Sequence, residues 1–231
     1  MGYTKNMKSG TYIPPTLTVD SVIFQLNGDR LEVLLINRAV EPFKGAWALP
    51  GGYCAARETT AEAMSHILLA KGGIRAADLN LIEQLYTFDT VARDPRGHAV
   101  SVTYMGLGKD IEPAVSDNTQ NPQFFDMTEL PDLAYDHEKI VQYAHERLQS
   151  KLSYTNAIFA LLPNHFTMSQ LQTAYEAVLG RPLDKRNFRK KFLSLDLIFA
   201  TEEMLQDGAH RPARLYQFHK SSLQTLTRSF D

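Results

Sequence analysis

AWALPGGYCAARETTAEAMSHILLAKGGI, residues 46–74, decides how the rest of this chain is arranged. A short apolar run at 47–49 meets the turn Pro50-Gly51-Gly52, and a helical pattern follows. Thr59 or Thr60 can cap that helix, and Ala61, Met64, Ile67 and Leu68 recur at helical spacing up to about Lys71. Gly72-Gly73 stops it, as glycine commonly ends a helix.

Working outward, the flanks supply strands. Residues 17–26 (LTVDSVIFQL) and 31–37 (LEVLLIN) are β-rich runs, and Asn27-Gly28-Asp29-Arg30 between them is a hairpin turn able to provide positive φ. Residues 79–91 and 98–107 read as two more strands joined by the turn-rich 92–97, and 121–126 as a shorter one. Asp136 is expected to cap an amphipathic helix with Ile140, Val141, Tyr143, Ala144 and Leu148 as its apolar set. That helix can continue past Ser150 as a connector. Strands with one helix after the glycine turn and one after the last strand make a mixed α/β sandwich. The first residues, ending in Pro14-Pro15, read as a loose arm.

Residues 52–74 resemble the Nudix box, G-x5-E-x7-R-E-U-x-E-E-x-G-U with U a bulky aliphatic. Gly52, Glu58, Gly73 and Ile74 fall in register, while His66, Ile67, Ala70 and Lys71 stand where the family has Arg, Glu, Glu and Glu. The resemblance implies the Nudix fold, an α/β/α sandwich with a mixed sheet. Nudix enzymes cleave nucleoside diphosphates with Mg2+, which needs several hard oxygen ligands. Ala70 offers no oxygen, and an ammonium at Lys71 repels the cation. Glu58 and Glu62 do not restore the constellation. The expectation is therefore no catalytic residue, no metal ligand and no cofactor, and His66 reads as structural.

Composition is that of an ordinary globular protein, 44% apolar and 22% charged with a net charge of −2. At 231 residues, two domains are expected. No apolar run approaches the roughly 18 residues of a membrane span, and the start lacks an apolar signal core. Neither a membrane partner nor secretion is expected. The one cysteine, Cys54, forms no internal disulfide and agrees with a reducing cytoplasm. Nothing near it reads as a base, so it serves as a small filler beside the turn. The net charge hides an asymmetry: residues 1–150 carry 13 Lys+Arg against 19 Asp+Glu, and residues 151–231 carry 11 against 7. The basic part is a candidate for polyanions.

That part has its own grammar. Residues 166–197 read FTMSQLQTAYEAVLGRPLDKRNFRKKFLSLDL. Thr167 or Ser169 caps a helix with Leu171, Ala174, Tyr175 and Val178 on one face, and Gly180-Arg181-Pro182 breaks it. Asp184 caps a second helix with Phe188, Phe192, Leu193 and Leu195 expected inside, and Lys185, Arg186, Arg189, Lys190 and Lys191 mostly on the other side. Helix, tight turn and basic helix is the helix-turn-helix layout, whose second helix enters the DNA major groove. Residues 197–201 and 214–218 can pair as strands around a wing containing Asp207, Gly208, His210, Arg211 and Pro212.

A degenerate Nudix domain followed by a winged helix resembles the Nudix-related transcriptional regulators of the NrtR type. The resemblance extends from about residue 17 to 218. It rests on LLINR with EPFKGAWALPGG (33–52), RDPRGHAVSVTY (93–104), AYDHEKIVQYAHERL (134–148), FTMSQLQTAYEAVLGRPLDKRNFRKK (166–191) and HRPARLY (210–216). It implies a cytoplasmic homodimer that binds double-stranded operator DNA as a repressor, with ADP-ribose or a related nucleotide or sugar effector altering that binding. The expected domains are an arm at 1–15, a Nudix-like sensor at 16–150 and a winged helix-turn-helix at 151–231.

For the effector, Arg38 and Arg93 can meet diphosphate or ribose oxygens as forked donors. Phe43 or Trp47 offers a ring face or a pocket wall, Glu58 belongs to the retained box, and His137 follows Asp136 at a helix start. Trp47 reads equally as core and Arg93 as a surface charge. For DNA, Lys185, Arg186, Arg189 and Lys190 are expected at phosphates or base edges and Asn187 at adenine, with Arg211 and Arg214 near the wing. Two other readings stay open: a Mg2+-dependent hydrolase of ADP-ribose type with an accessory tail, and an interaction module whose tail binds an acidic protein.

Overall fold

The computed structural model describes residues 13–115, 120–206 and 212–226. The expected arm and the wing positions 207–211, Arg211 included, lie largely or wholly outside the described residues. Strands β1 (Thr16–Asn27) and β2 (Arg30–Asn37) form the predicted hairpin, with Gly28 at φ 63° in its turn. Strands β3 (Trp47–Ala48) and β4 (Gly51–Tyr53) flank Pro50. Helix α1 (Thr60–Gly72), strands β5 (Leu81–Phe88), β6 (Ala99–Leu107) and β7 (Gln123–Asp126), and helix α2 (His137–Tyr154) follow. The sheet runs β3-β2-β1-β6-β5, with β4 added to β1 and β7 to β2. β1 and β6 pair in parallel, while the hairpin, β4 and β5 pairings are antiparallel, so the sheet is mixed.

Strand β1 is apolar on both faces because each face is covered by a helix. Val19 and Ile23 pack with Met64, Ile67 and Leu68 of α1, whereas Val22 and Phe24 pack with Ile140, Val141 and Leu148 of α2. Alternation with period two thus serves two cores, each fully buried aliphatic or aromatic side chain contributing ~1.5–3 kcal/mol. Helix α1 starts on a capping box, in which Thr59 accepts from the Glu62 amide and the Glu62 carboxylate accepts from the Thr59 amide. It ends at Gly73, φ 66°, where any side chain would run into the backbone of Ala114.

Two expectations for α2 need correction. Asp136 precedes the helix but makes no side-chain cap bond, because its carboxylate is turned to Arg93. Tyr143 stays partly exposed and packs its ring against Tyr86 and Phe88 rather than entering the core. The helix does run past Ser150, so the expected boundary at 150/151 falls within it. Lys151 is buried there and pairs with Glu83 of β5 at 2.7 Å.

The C-terminal elements are β8 (Phe166–Thr167), α3 (Met168–Leu179), α4 (Lys185–Ser194), β9 (Ile198–Leu205) and β10 (Ala213–Phe218). The three strands form a separate antiparallel sheet, ordered β8-β10-β9. This is a winged helix. Its core of Phe166, Leu171, Tyr175, Phe188 and Phe192 is continuous, through Leu152 and Ile158, with the α2 side of the first domain. Leu193 departs from expectation and is 42% exposed, whereas Phe188 and Phe192 turn their rings to Tyr175. Among the described residues no helix is long and apolar enough to cross a membrane.

Candidate functional site

A cavity of about 410 Å3 opens where β1, β4, the last turns of α1 and the segment before α2 converge. Its floor is a buried polar network. Arg93 donates a fork to Asp136 (Nε to Oδ2 2.9 Å, a terminal nitrogen to Oδ1 2.7 Å) and a longer bond to Asp20 at 3.3 Å. Ser101 donates to Asp20 at 2.6 Å. The Arg93 side chain is only 5% exposed, and burial works against its charge; the Asp136 hydrogen bonds and the two carboxylates outweigh that and hold it above the ordinary arginine range. His137 accepts the Leu49 amide at Nδ1, 2.9 Å away, and its Nε2 lies 3.6 Å from Asp20. Burial pushes the imidazole below its usual value despite the carboxylates nearby.

The walls carry cations and aromatic rings. Arg96 is held by Asp94, which raises it, and lies over the Tyr53 ring at 5.5 Å. Arg38 donates to the carbonyls of Pro42 and Val40 and lies over the Tyr135 ring at 4.9 Å. Lys71, in the last turn of α1, folds back over the glycine turn and donates to the Gly51 carbonyl. Burial lowers the Lys71 ammonium and the charge of Arg38 lowers it further, with the Asp20 carboxylate working the other way. Among the described residues no carboxylate forms an ion pair with Arg38 or Lys71. Gly51 is what allows Asp20 to lie against the turn, since a side chain there would collide with that carboxylate.

Of the residues expected at a ligand, Arg38, Arg93 and His137 are brought to this cavity and three are not. Phe43 lies outside, edge-on to Tyr135 at 4.8 Å. Trp47 packs against Phe125 and the α2-side core, as its apolar neighbours favour. Glu58 accepts the Ala55 amide and pairs with His66 at 3.1 Å, which closes the loop before α1. Arg93 commits its Nε and one terminal nitrogen to two carboxylates and is buried, so it is not the surface charge of the sequence reading. The His137 amide donates to the Ala134 carbonyl at 3.3 Å. Sequence reading missed Tyr53, Arg96 and Tyr135 as wall residues; Arg96 and Tyr135 stand in quoted motifs, but no spacing rule singles them out.

The second site is α4. Lys185, Arg186, Asn187, Arg189 and Lys190 are exposed on one side, with Phe188 and Phe192 buried on the other. Asp184 caps the helix by accepting the Asn187 amide at 2.8 Å. Gln172 and Glu176 of α3 clamp the turn by bonding the carbonyl and amide of Leu183. Arg189 also reaches the Tyr216 hydroxyl at 3.1 Å, tying α4 to β10, on which Arg214 is exposed.

The NUDIX domain family model matches residues 14–144, and the model for the NrtR DNA-binding winged helix domain matches residues 158–218. The ADPR responsive transcriptional repressor NtrR of Acinetobacter baylyi is 36% identical over 214 residues, 90% of this chain and 83% of that protein. The chain belongs to the NrtR family. Shewanella oneidensis NrtR, crystallised with a 27mer DNA, superposes with a TM-score of 0.77 at 32% identity over 93% of this chain and 99% of that one. The NUDIX domain of the same protein, in complex with ADP ribose, matches at TM-score 0.54 and 30% identity over 62% of this chain and 94% of its own. The first domain is also similar to the ADP-ribose pyrophosphatase of Methanocaldococcus jannaschii, 35% identical over 133 residues, 57% of this chain and 73% of that enzyme.

Proposed function

We propose that this chain is a DNA-binding transcriptional repressor whose Nudix domain senses ADP-ribose, or a related nucleoside diphosphate, without cleaving it. The observation that carries the reading is the joining, in one chain, of a cavity holding two cations that form no ion pair with a carboxylate among the described residues to an exposed basic recognition helix. The NrtR relatives supply the likeness: one is named as responsive to ADP-ribose, and another was crystallised with DNA and, as its NUDIX domain, with ADP ribose. Arg38 and Lys71 suit phosphate oxygens, and Tyr53 and Tyr135 offer faces to a base. The cations favour a phosphorylated effector over a neutral sugar. Arg93 and His137 shape the floor beneath it.

The Mg2+ that Nudix enzymes use does not fit these residues. The Lys71 ammonium faces the glycine turn, Ala70 has no oxygen donor, and Glu58 is engaged with Ala55 and His66. Helix α4 enters the major groove, with Lys185, Arg186, Arg189 and Lys190 at phosphates or base edges, Asn187 at adenine and Arg214 beside the minor groove. The protein acts in the cytoplasm as a homodimer whose two recognition helices match half-sites ~34 Å apart, and the effector favours a dimer geometry that no longer matches. The test uses the full chain and its own upstream intergenic DNA. Anisotropy should show binding that ADP-ribose reverses, and Mg2+ with ADP-ribose should yield no AMP. Rapid release of AMP would favour the second reading, a hydrolase, which the likeness to the pyrophosphatase supports.

A further inference from the structure

We infer that Lys71 stands in for a divalent cation: its ammonium, together with the Arg38 guanidinium, binds the diphosphate of the effector directly, and that binding requires no metal. The inference rests on the nucleoside-diphosphate reading above and names how that site recognises its ligand.

Four observations converge on it. Lys71 closes the helix that opens at the Thr59 cap, so its side chain would ordinarily complement the helix dipole or reach solvent. Instead it crosses to a residue 20 positions earlier and donates to the carbonyl of Gly51, which also lines the cavity. An ammonium has three donors, so two remain for a ligand.

Charge pairing makes the second point. The cavity is also lined by Arg93 and Arg96, yet Arg93 is matched by Asp20 and Asp136, and Arg96 by Asp94. Arg38 and Lys71 form no ion pair with a carboxylate among the described residues, and the charge of Asp20, which acts on Lys71 from further off, does not outweigh its burial and the charge of Arg38. Two half-buried cations facing one cavity repel each other, and a diphosphate carries the two negative charges that would relieve this.

The third is Arg38 itself. Its guanidinium is held by the Pro42 and Val40 carbonyls and by the face of Tyr135, which orient it without neutralising it. Finally, the Lys71 ammonium itself stands beside the turn, 3.5 Å from where a methyl group on Gly52 would lie, so a divalent cation placed there would meet a positive charge.

Calorimetric titration of the full-length protein with ADP-ribose, once in EDTA and once in excess Mg2+, tests the inference. Equal Kd values in the two buffers are expected. Lys71→Met should weaken ADP-ribose binding about 10- to 100-fold, the range for a charge-assisted hydrogen bond, and Arg38→Met should do likewise. A circular dichroism spectrum and a cooperative thermal unfolding transition like those of the wild type show that the Lys71→Met protein is folded. Binding to the wild type that vanishes in EDTA overturns the inference without help from any variant. So does a folded Lys71→Met protein with wild-type affinity. Wild-type protein that binds no ADP-ribose in either buffer removes the effector reading, and this inference falls with it; binding that depends on Mg2+ removes this inference alone.

Discussion

Asp20 sits in the middle of a buried strand, flanked by Val19 and Ser21, and only its partners make that position tenable. Ser101, Arg93 and His137 all approach it, and the Arg93 fork reaches on to Asp136. A buried charge without such partners would cost several kcal/mol, which is why these residues behave as a unit. His137 gives this network a pH signature. Its burial holds the imidazole below the ordinary 6.5, so the unfolded chain takes up a proton that the folded chain resists. Stability from neutral His137 is therefore complete above that value and is lost as pH falls below it toward the folded value. Urea midpoints measured between about pH 7 and 5.5 should fall in the wild type and fall less in His137→Gln, whose amide oxygen can still accept from Leu49. An unchanged slope would exonerate His137. None of this was legible locally: Asp136 before a helix looks like a cap, and its true partner lies 43 residues away.

At the scale of elements the sequence was informative, because caps and periodicity are local. Thr59, Thr167 and Asp184 each cap the helix expected of them. Facing was less certain for short helices. Leu193 belongs to the apolar set of α4 by spacing, yet the helix ends at Ser194 and it is Phe188 and Phe192 that meet Tyr175. The basic side was assigned by elimination and is exposed as the pattern implies. Replacing Arg186 and Arg189 together with alanine should weaken DNA binding and reduce the magnitude of the salt slope by about 2, if both meet phosphates. Gel-shift or anisotropy titrations over a salt series provide the check, and an unchanged affinity would mean that α4 is not the recognition helix. Arg189 carries a second consequence, since its bond to Tyr216 also fixes the wing strand.

For the whole molecule, α2 is the physical link. Its first residue lies on the cavity floor, and its last turns, with Lys151 paired to Glu83 and Leu152 buried, merge into the winged-helix core. If ADP-ribose releases DNA through this connection, the coupling is reciprocal: operator duplex must weaken ADP-ribose binding by the same factor that ADP-ribose weakens DNA binding. Titrating ADP-ribose into free and DNA-bound protein measures both factors, and equal affinity in the two states would show that ADP-ribose is not the effector. The chain by itself determined the strands, the helix limits near Thr59 and Gly73, the helix-turn-helix, and the presence of Ala70 and Lys71, neither a carboxylate, at the end of the first helix. These depend on local propensity, glycine geometry and residue identity. Only the tertiary structure decided that Arg93 is locked to two carboxylates, that Phe43, Trp47 and Glu58 stand outside the cavity, and that Lys71 folds back to face Arg38's cavity. Those outcomes depend on which distant side chains share a small, poorly hydrated space. There a charge is settled by its neighbours in three dimensions, not by its place in the chain.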